Sequence, residues 1–470
     1  MKKLIYILPI FVLLTTACSE SWLDTKSSTS LDVEGSITTV TQAQYAVDGV
    51  YDQLTSSDYY NSDFIAPFDV QADDMRAAGA GRLEGDYKYT FYTESSKSTR
   101  WVVPYRALKN LAALMSVIDE VKTDGDTEKN KLNDIKGQAL ALRGLVHFDL
   151  VRVFGKPYTH GGADQALGVP IVIEPMQSGD KLARNTVAEV YTQVVKDLTA
   201  GIELLSTDAN AGHINKWAAK ALLSRVYLYM GDNTNALALA KDVIDNSKVK
   251  LVERSAYVKS WADDKMSEAL FELINSSEDN GGLESVGYLS DPDGYGQFVA
   301  ADDFITLMKS DANDVRANLL VADKLGTDAE PRLGRVLKYP GKDNSPSYTT
   351  NIRVIRLSEV YLNAAEAAVK LGQDASTYLN AIYKRATGVD VTGTIDLDRV
   401  LLERRKELVA EGHRFFDLVR NNKTIVRGSD YWGPQDFKTI ESDNFKVIQP
   451  IPRIELDANP NMKQNPGYES

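Results

Sequence analysis

Two stretches of this sequence place small residues where a pair of helices must double back, and that pattern constrains the fold more than any other feature. Between Lys216 and Asn246, Ser224 and Tyr227 precede Gly231 and Ala236 follows it. Small side chains at these offsets let two antiparallel helices approach closely. From Ile352 to Leu371 a comparable first helix carries Ala364 and Ala365, with Gly372 at the turn and a second helix over about Ala375 to Ala386. Apolar residues at three- and four-residue steps predict further helices over 41–54, 102–121, 130–154 and 187–205, and another beginning near Asp396. The helix over 130–154 is expected to stop at a left-handed cap on Gly155, with Pro157 making the stop firm. No run of regularly alternating strands appears; the Gly155–Pro175 loop holds at most an edge strand at Val169–Ile173.

The expected fold class is therefore mainly α, with tetratricopeptide-type helical units separated by long loop insertions. One insertion, 275–346, is dense in glycine, asparagine and aspartate, and includes Asp291-Pro292-Asp293-Gly294-Tyr295. A second loop set, 55–100, carries Tyr60, Phe64, Asp73, Asp74, Arg82 and several further tyrosines. Loops this long in a compact protein are usually functional, and the two aromatic-rich sets are expected to line one face.

At the N-terminus, Met1-Lys2-Lys3 precedes an apolar run, Leu4–Leu14, too short to span a bilayer. Thr15-Thr16-Ala17-Cys18 follows and resembles a bacterial lipoprotein signal, with Thr15 where leucine is usual. Cys18, the one cysteine of the chain, is then the lipid attachment point. Firm anchoring takes more than one acyl chain, each buried methylene contributing roughly 0.8 kcal/mol. Ser19 after the cysteine resembles the outer-membrane pattern, and a Ser/Thr/Asp-rich tether follows. With no second cysteine, neither an intrachain disulfide nor a thiolate metal cluster can form. The formal charge of −13 is spread thinly over the chain, which argues against a nucleic-acid partner.

The C-terminal hundred residues carry two long motifs, Glu403-Arg404-Arg405-Lys406-Glu407-Leu408-Val409-Ala410-Glu411-Gly412-His413-Arg414-Phe415-Phe416-Asp417-Leu418-Val419-Arg420 and the tail Pro450-Ile451-Pro452-Arg453 through Asn459-Pro460 to Asn465-Pro466-Gly467-Tyr468. With Arg143, Phe148, Arg152, Phe154-Gly155 and Gly168-Val169-Pro170 upstream, they resemble the RagB/SusD-type outer-membrane nutrient-binding lipoproteins. The resemblance implies a SusD-like fold and an organisation into signal peptide (1–17), lipidated N-terminus and tether (18–40), N-terminal helical region (41–260) and C-terminal region (261–470). It implies a cell-surface lipoprotein that binds oligosaccharide or peptide on a loop-rich face and delivers it to a SusC-like TonB-dependent outer-membrane barrel, without catalysis. On that face, Tyr60, Trp101, Tyr288 and Tyr295 are the expected stacking residues among 23 tyrosines and five tryptophans, and Asp73, Asp74 and Arg82 the polar ones. The alternatives are a lipid-anchored glycoside hydrolase and a tetratricopeptide scaffold for envelope assembly.

Within the first motif, Leu401, Leu408, Phe415 and Val419 form an apolar stripe, while Arg404 with Glu407, and Glu411 with Arg414, stand at the spacing of local ion pairs. These charges are expected to be structural, and the proline-rich tail to lay extended backbone over the helices. The four histidines, His147, His160, His213 and His413, occur singly, without metal-ligand spacing. His160-Gly161-Gly162 and Asp291-Pro292-Asp293-Gly294 read as turns, and no nucleophile elbow is present. No cofactor or metal is expected.

Overall fold

A computed structural model describes residues 37–208, 212–342 and 345–468. Cys18, the export signal and almost all of the tether lie outside the described residues.

Helix α1 (Val40–Thr55) opens on a capping box in which Thr39 accepts from the Gln42 amide and Gln42 reaches back. Its apolar face packs against α2 (Thr99–Val117) and α3 (Gly125–Phe154). Helix α4 (Val187–Leu204), started by a second capping box between Thr186 and Glu189, makes the most intimate contact with α3. The reason is paired glycines: a Cβ on Gly201 would lie 2.9 Å from the Gly137 carbonyl oxygen, and one on Gly137 3.1 Å from that of Gly201. Any larger residue at either place would force the helices apart.

Next, α5 (Lys216–Met230) and α6 (Asn233–Asn246) form the expected helix-turn-helix, with Gly231 left-handed at the turn and the Ser224 hydroxyl donating to the Ala236 carbonyl at 2.8 Å. After a long excursion, α7 (Leu357–Lys370) returns to stack directly on α6, where Leu228, Ala236 and Ala367 share a small apolar cluster. A buried bidentate pair, Arg225 to Glu359 at 2.6 Å for both contacts, locks α5 to α7. Helices α8 (Ser376–Thr387) and α9 (Leu397–Glu407) cover α7, and α10 (Arg414–Arg420) follows. The two helical hairpins read from sequence are thus spatial neighbours in one stack.

Several expectations are corrected. Residues Ile352–Arg356 form a strand, β4, not the start of a helix; it pairs antiparallel with β2 (Ala269–Leu273). Gly155 is extended at φ −108 rather than left-handed, and its glycine serves close packing, since a Cβ would lie 2.7 Å from the Val151 carbonyl oxygen. The helix beginning near Asp396 is not continuous: α9 ends at Glu407 and the chain turns through Ala410 (φ 62) and Gly412 (φ 78) before α10. That break carries the motif's charges out of helical register, so the local pairs give way to long-range ones. Arg404 bonds Asp417 and Asn363, Glu411 meets Lys338 and Arg356, and Arg414 meets Asp73. The tail, too, is extended only in part, with a short helix over Arg453–Ala458.

Beneath this turn lies Asp69, on the short helix Ala66–Gln71, with one carboxyl oxygen accepting from the Gly412 amide at 2.9 Å. Burial pushes its pKa up to about 8, helped by nearby Asp74 and Glu411 and opposed by the Gly412 hydrogen bond and Lys338. With the folded pKa above an unfolded value of about 3.9, this group's stabilisation is complete below about pH 4 and is lost as pH climbs toward 8. Asp69→Asn keeps an acceptor for Gly412 and removes the titration. Measured by urea unfolding, the variant's stability relative to the parent is expected to rise between pH 5 and pH 9 by roughly 2–4 kcal/mol. An identical difference at both pH values would rule out the assignment.

Candidate functional site

The two loop sets meet. Strand β1 (Met75–Ala77) pairs antiparallel with β3 (Phe298–Ala300), in the register Met75 with Ala300 and Ala77 with Phe298. The pairing continues beyond the strands: Ala78 N donates to the Gln297 carbonyl, the Gln297 side chain donates to the Ala80 carbonyl at 3.1 Å, and Arg82 N donates to Gln297 Oε1 at 3.0 Å. On the other flank, the Val286 amide donates to the Asn61 carbonyl, and Asn61 Nδ2 to Asn275 Oδ1. Ser285 caps the short helix Val286–Ser290 that carries Tyr288. The following Asp291–Gly294 segment is a turn, held by Gly294 N on the Asp291 carbonyl and by Asp291 against Arg335 at 3.2 Å. Tyr295 N then donates to the Tyr288 carbonyl, which fixes the spacing of the two rings.

The result is a surface cluster. The Tyr288 and Tyr295 rings stand edge to face with centroids 5.0 Å apart. The exposed Arg82 guanidinium lies 3.7 Å from the centroid of Tyr295, donates to its hydroxyl at 2.7 Å, and forms a bidentate pair with Glu284 at 2.6 Å. Both tyrosines are half-buried, so each ring is held from behind while part of it remains open. Such a site offers flat apolar area with a rim of donors and acceptors, the combination that suits a sugar ring's C–H face and its hydroxyls.

The structure thus brings Arg82, Tyr288 and Tyr295 together and puts the remaining expected residues elsewhere. Tyr60 is in the core, where its ring packs on Tyr59 and Phe64 and its hydroxyl donates to Asp149 at 2.7 Å. Trp101, 3 % exposed, is wedged between Tyr105 and Phe154 at the base of a small pocket of about 220 Å³. A residue with its ring faces packed cannot serve as a stacking platform. Asp73 and Asp74 are joints: Asp73 takes a bidentate pair from Arg414, and Asp74 pairs with Arg405. Burial alone would raise Asp73, but the Arg414 guanidinium overrides it and holds the carboxyl below its usual range; Asp74, buried beside Asp73, is pushed up to about 6 despite Arg405. They tie the first loop set to α9 and α10. Arg76 with Asp430 at 3.0 Å and the Trp432 indole N–H on the Ala77 carbonyl at 2.7 Å add two further ties.

Sequence reasoning missed Glu284 and Gln297. Gln297 carries no composition signal, since its role is to bridge two backbones. Glu284 lies in the loop set singled out, but only the fold shows that an arginine 202 residues away faces it. Among the described residues, no group of histidine, aspartate and glutamate side chains is arranged to hold a metal ion, and no helix is long and apolar enough to cross a membrane.

The model of the SusD family matches residues 325–468, and one described as starch-binding associating with outer membrane matches residues 21–228. A solved structure of a putative sugar binding protein from Bacteroides vulgatus is 39% identical, with a TM-score of 0.86 over 92% of this chain and 99% of its own. A SusD superfamily protein from Bacteroides thetaiotaomicron is 35% identical, with the same TM-score of 0.86 over 91% of this chain and 100% of its own. Among curated sequences, SusD-like protein P2 of Formosa agariphila is 24% identical over 100% of both chains. Fold, motifs and full-length similarity agree that the chain belongs to the SusD family.

Proposed function

We propose that this protein binds glycan on the face where the two loop sets meet, with Tyr288 and Tyr295 as the aromatic surface and Arg82 and Glu284 as polar partners. The observation that carries the reading is the cluster itself: an exposed guanidinium from the first loop set against a carboxylate and two half-open tyrosine rings from the second. The likeness to a putative sugar binding protein supports it. In this reading Cys18 is the lipid attachment, the protein is held at the outer membrane, and the captured oligosaccharide passes to a SusC-like TonB-dependent barrel. Binding without turnover is the expected chemistry.

Calorimetry against a panel of neutral and acidic oligosaccharides tests the core of the proposal. Saturable heat without new reducing ends is expected for at least one glycan. Tyr295→Ala is expected to weaken that binding about tenfold, because it removes a stacking face and also releases Arg82. Rapid hydrolysis, or Tyr295→Ala binding as tightly as the parent, would count against the reading.

A further inference from the structure

A cavity of about 750 Å³ lies apart from the loop face, walled by the loop after α3 and by residues 442–466 of the C-terminal tail. Its volume is in the range of sites that hold drug-sized molecules. Its walls are fixed by the tail's own hydrogen bonds. Asn465 Nδ2 donates to the Phe154 and Gln449 carbonyls, and Arg184 donates to Asn465 Oδ1 and to the Lys463 carbonyl. The site is therefore preformed.

Its chemistry differs from that of the loop face. The lining is mainly apolar, with Leu167, Ile448 and Phe445 prominent, and Phe445 is 39% exposed although its edge packs on Tyr468. Several polar side chains there are already engaged: His160 Nε2 with the Val419 carbonyl, Gln464 with both backbone groups of Ile451, and Asn465 as above. A mainly apolar lining suits an apolar body better than a ring crowded with hydroxyls. Lys156 and Lys463 are different, being exposed and, among the described residues, in no ion pair. Asp443 is the single carboxylate in the lining, so two cations face one anion in a chain whose net charge is −13.

We propose that this pocket is a second binding site, selective for an amphiphilic organic anion whose apolar body lies on Phe445, Leu167 and Ile448 and whose anionic group sits between Lys156 and Lys463. This site is independent of the glycan reading, as it shares no residue with the Arg82 cluster.

Anilinonaphthalenesulfonate and its uncharged parent phenylnaphthylamine make a matched pair of probes, one with and one without the anionic group. Fluorescence titration of the full-length protein is expected to show saturable binding of the sulfonate. Combining Lys156→Gln with Lys463→Gln should weaken the sulfonate about five- to tenfold and leave phenylnaphthylamine unchanged, as expected for two solvent-accessible charge contacts. Asp443→Asn should tighten the sulfonate about two- to threefold by removing the opposing charge. Phe445→Ala should weaken both probes, and Tyr295→Ala neither. All of these side chains are exposed or half-exposed, so the variants retain the fold. Sulfonate binding that never saturates, or that survives the double lysine substitution undiminished, overturns the proposal.

Discussion

Replacing Glu407 by glutamine is expected to cost about 3–5 kcal/mol of folding stability, the penalty of leaving buried charges without their partner. Glu407 is fully buried at the C-terminus of α9. Its Oε1 accepts from Arg356 at 2.7 Å, Arg385 at 2.6 Å and the Tyr257 hydroxyl at 3.1 Å, while Oε2 accepts from Arg316 at 3.2 Å. Burial would raise the pKa of this carboxyl, and the three guanidiniums outweigh it, holding the group well below its usual range. Those arginines come from β4, from α8 and from the turn near residue 316, so one carboxylate joins three elements to a fourth. The helix end itself is capped by cations, since Lys338 Nζ and Arg356 Nη2 both donate to the Glu407 carbonyl. Glutamine keeps the shape, removes the charge and forces an amide N–H₂ toward a guanidinium. Denaturant unfolding at neutral pH measures the loss. A variant within about 1 kcal/mol of the parent would mean that Glu268, Glu403 and Glu411 already compensate the arginines.

Gly412→Ala is the second large effect, at about 2–5 kcal/mol. Gly412 has φ +78, where a side chain costs roughly 1–2 kcal/mol. A Cβ there would also lie 2.7 Å from the Phe64 carbonyl oxygen and 3.1 Å from Ile65 Cα. Backbone atoms cannot rotate away as a side chain end can, so overpacking adds about 1–3 kcal/mol. Gly372→Ala is the matched control: its φ is +69, but nothing lies within 4 Å of the added carbon. It should lose only the conformational part. If the two substitutions cost the same, close packing against Phe64 is not what Gly412 provides.

The candidate site was partly legible in the sequence. Loop length and composition marked both segments, and Arg82, Tyr288 and Tyr295 do meet. Composition cannot say which way an aromatic ring points, however, and Tyr60 and Trp101 lie in the same stretch as exposed residues while packing inward. Likewise Asp73 and Asp74 look like surface acids until Arg405 and Arg414, more than 300 residues later, are folded against them.

By itself the sequence determined most of the helices and both hairpins, because apolar period and turn glycines act over a few residues and need no distant partner. The tertiary structure alone decided which charges pair, where the long helix near Asp396 breaks, and which side chains of the two loop sets reach their shared face. Those outcomes depend on contacts such as Arg225 with Glu359 or Arg82 with Glu284, separated by 134 and 202 residues. An ion pair or a strand register across such distances has no local signature, since its energy comes from desolvation and geometry that exist only once the helices have stacked.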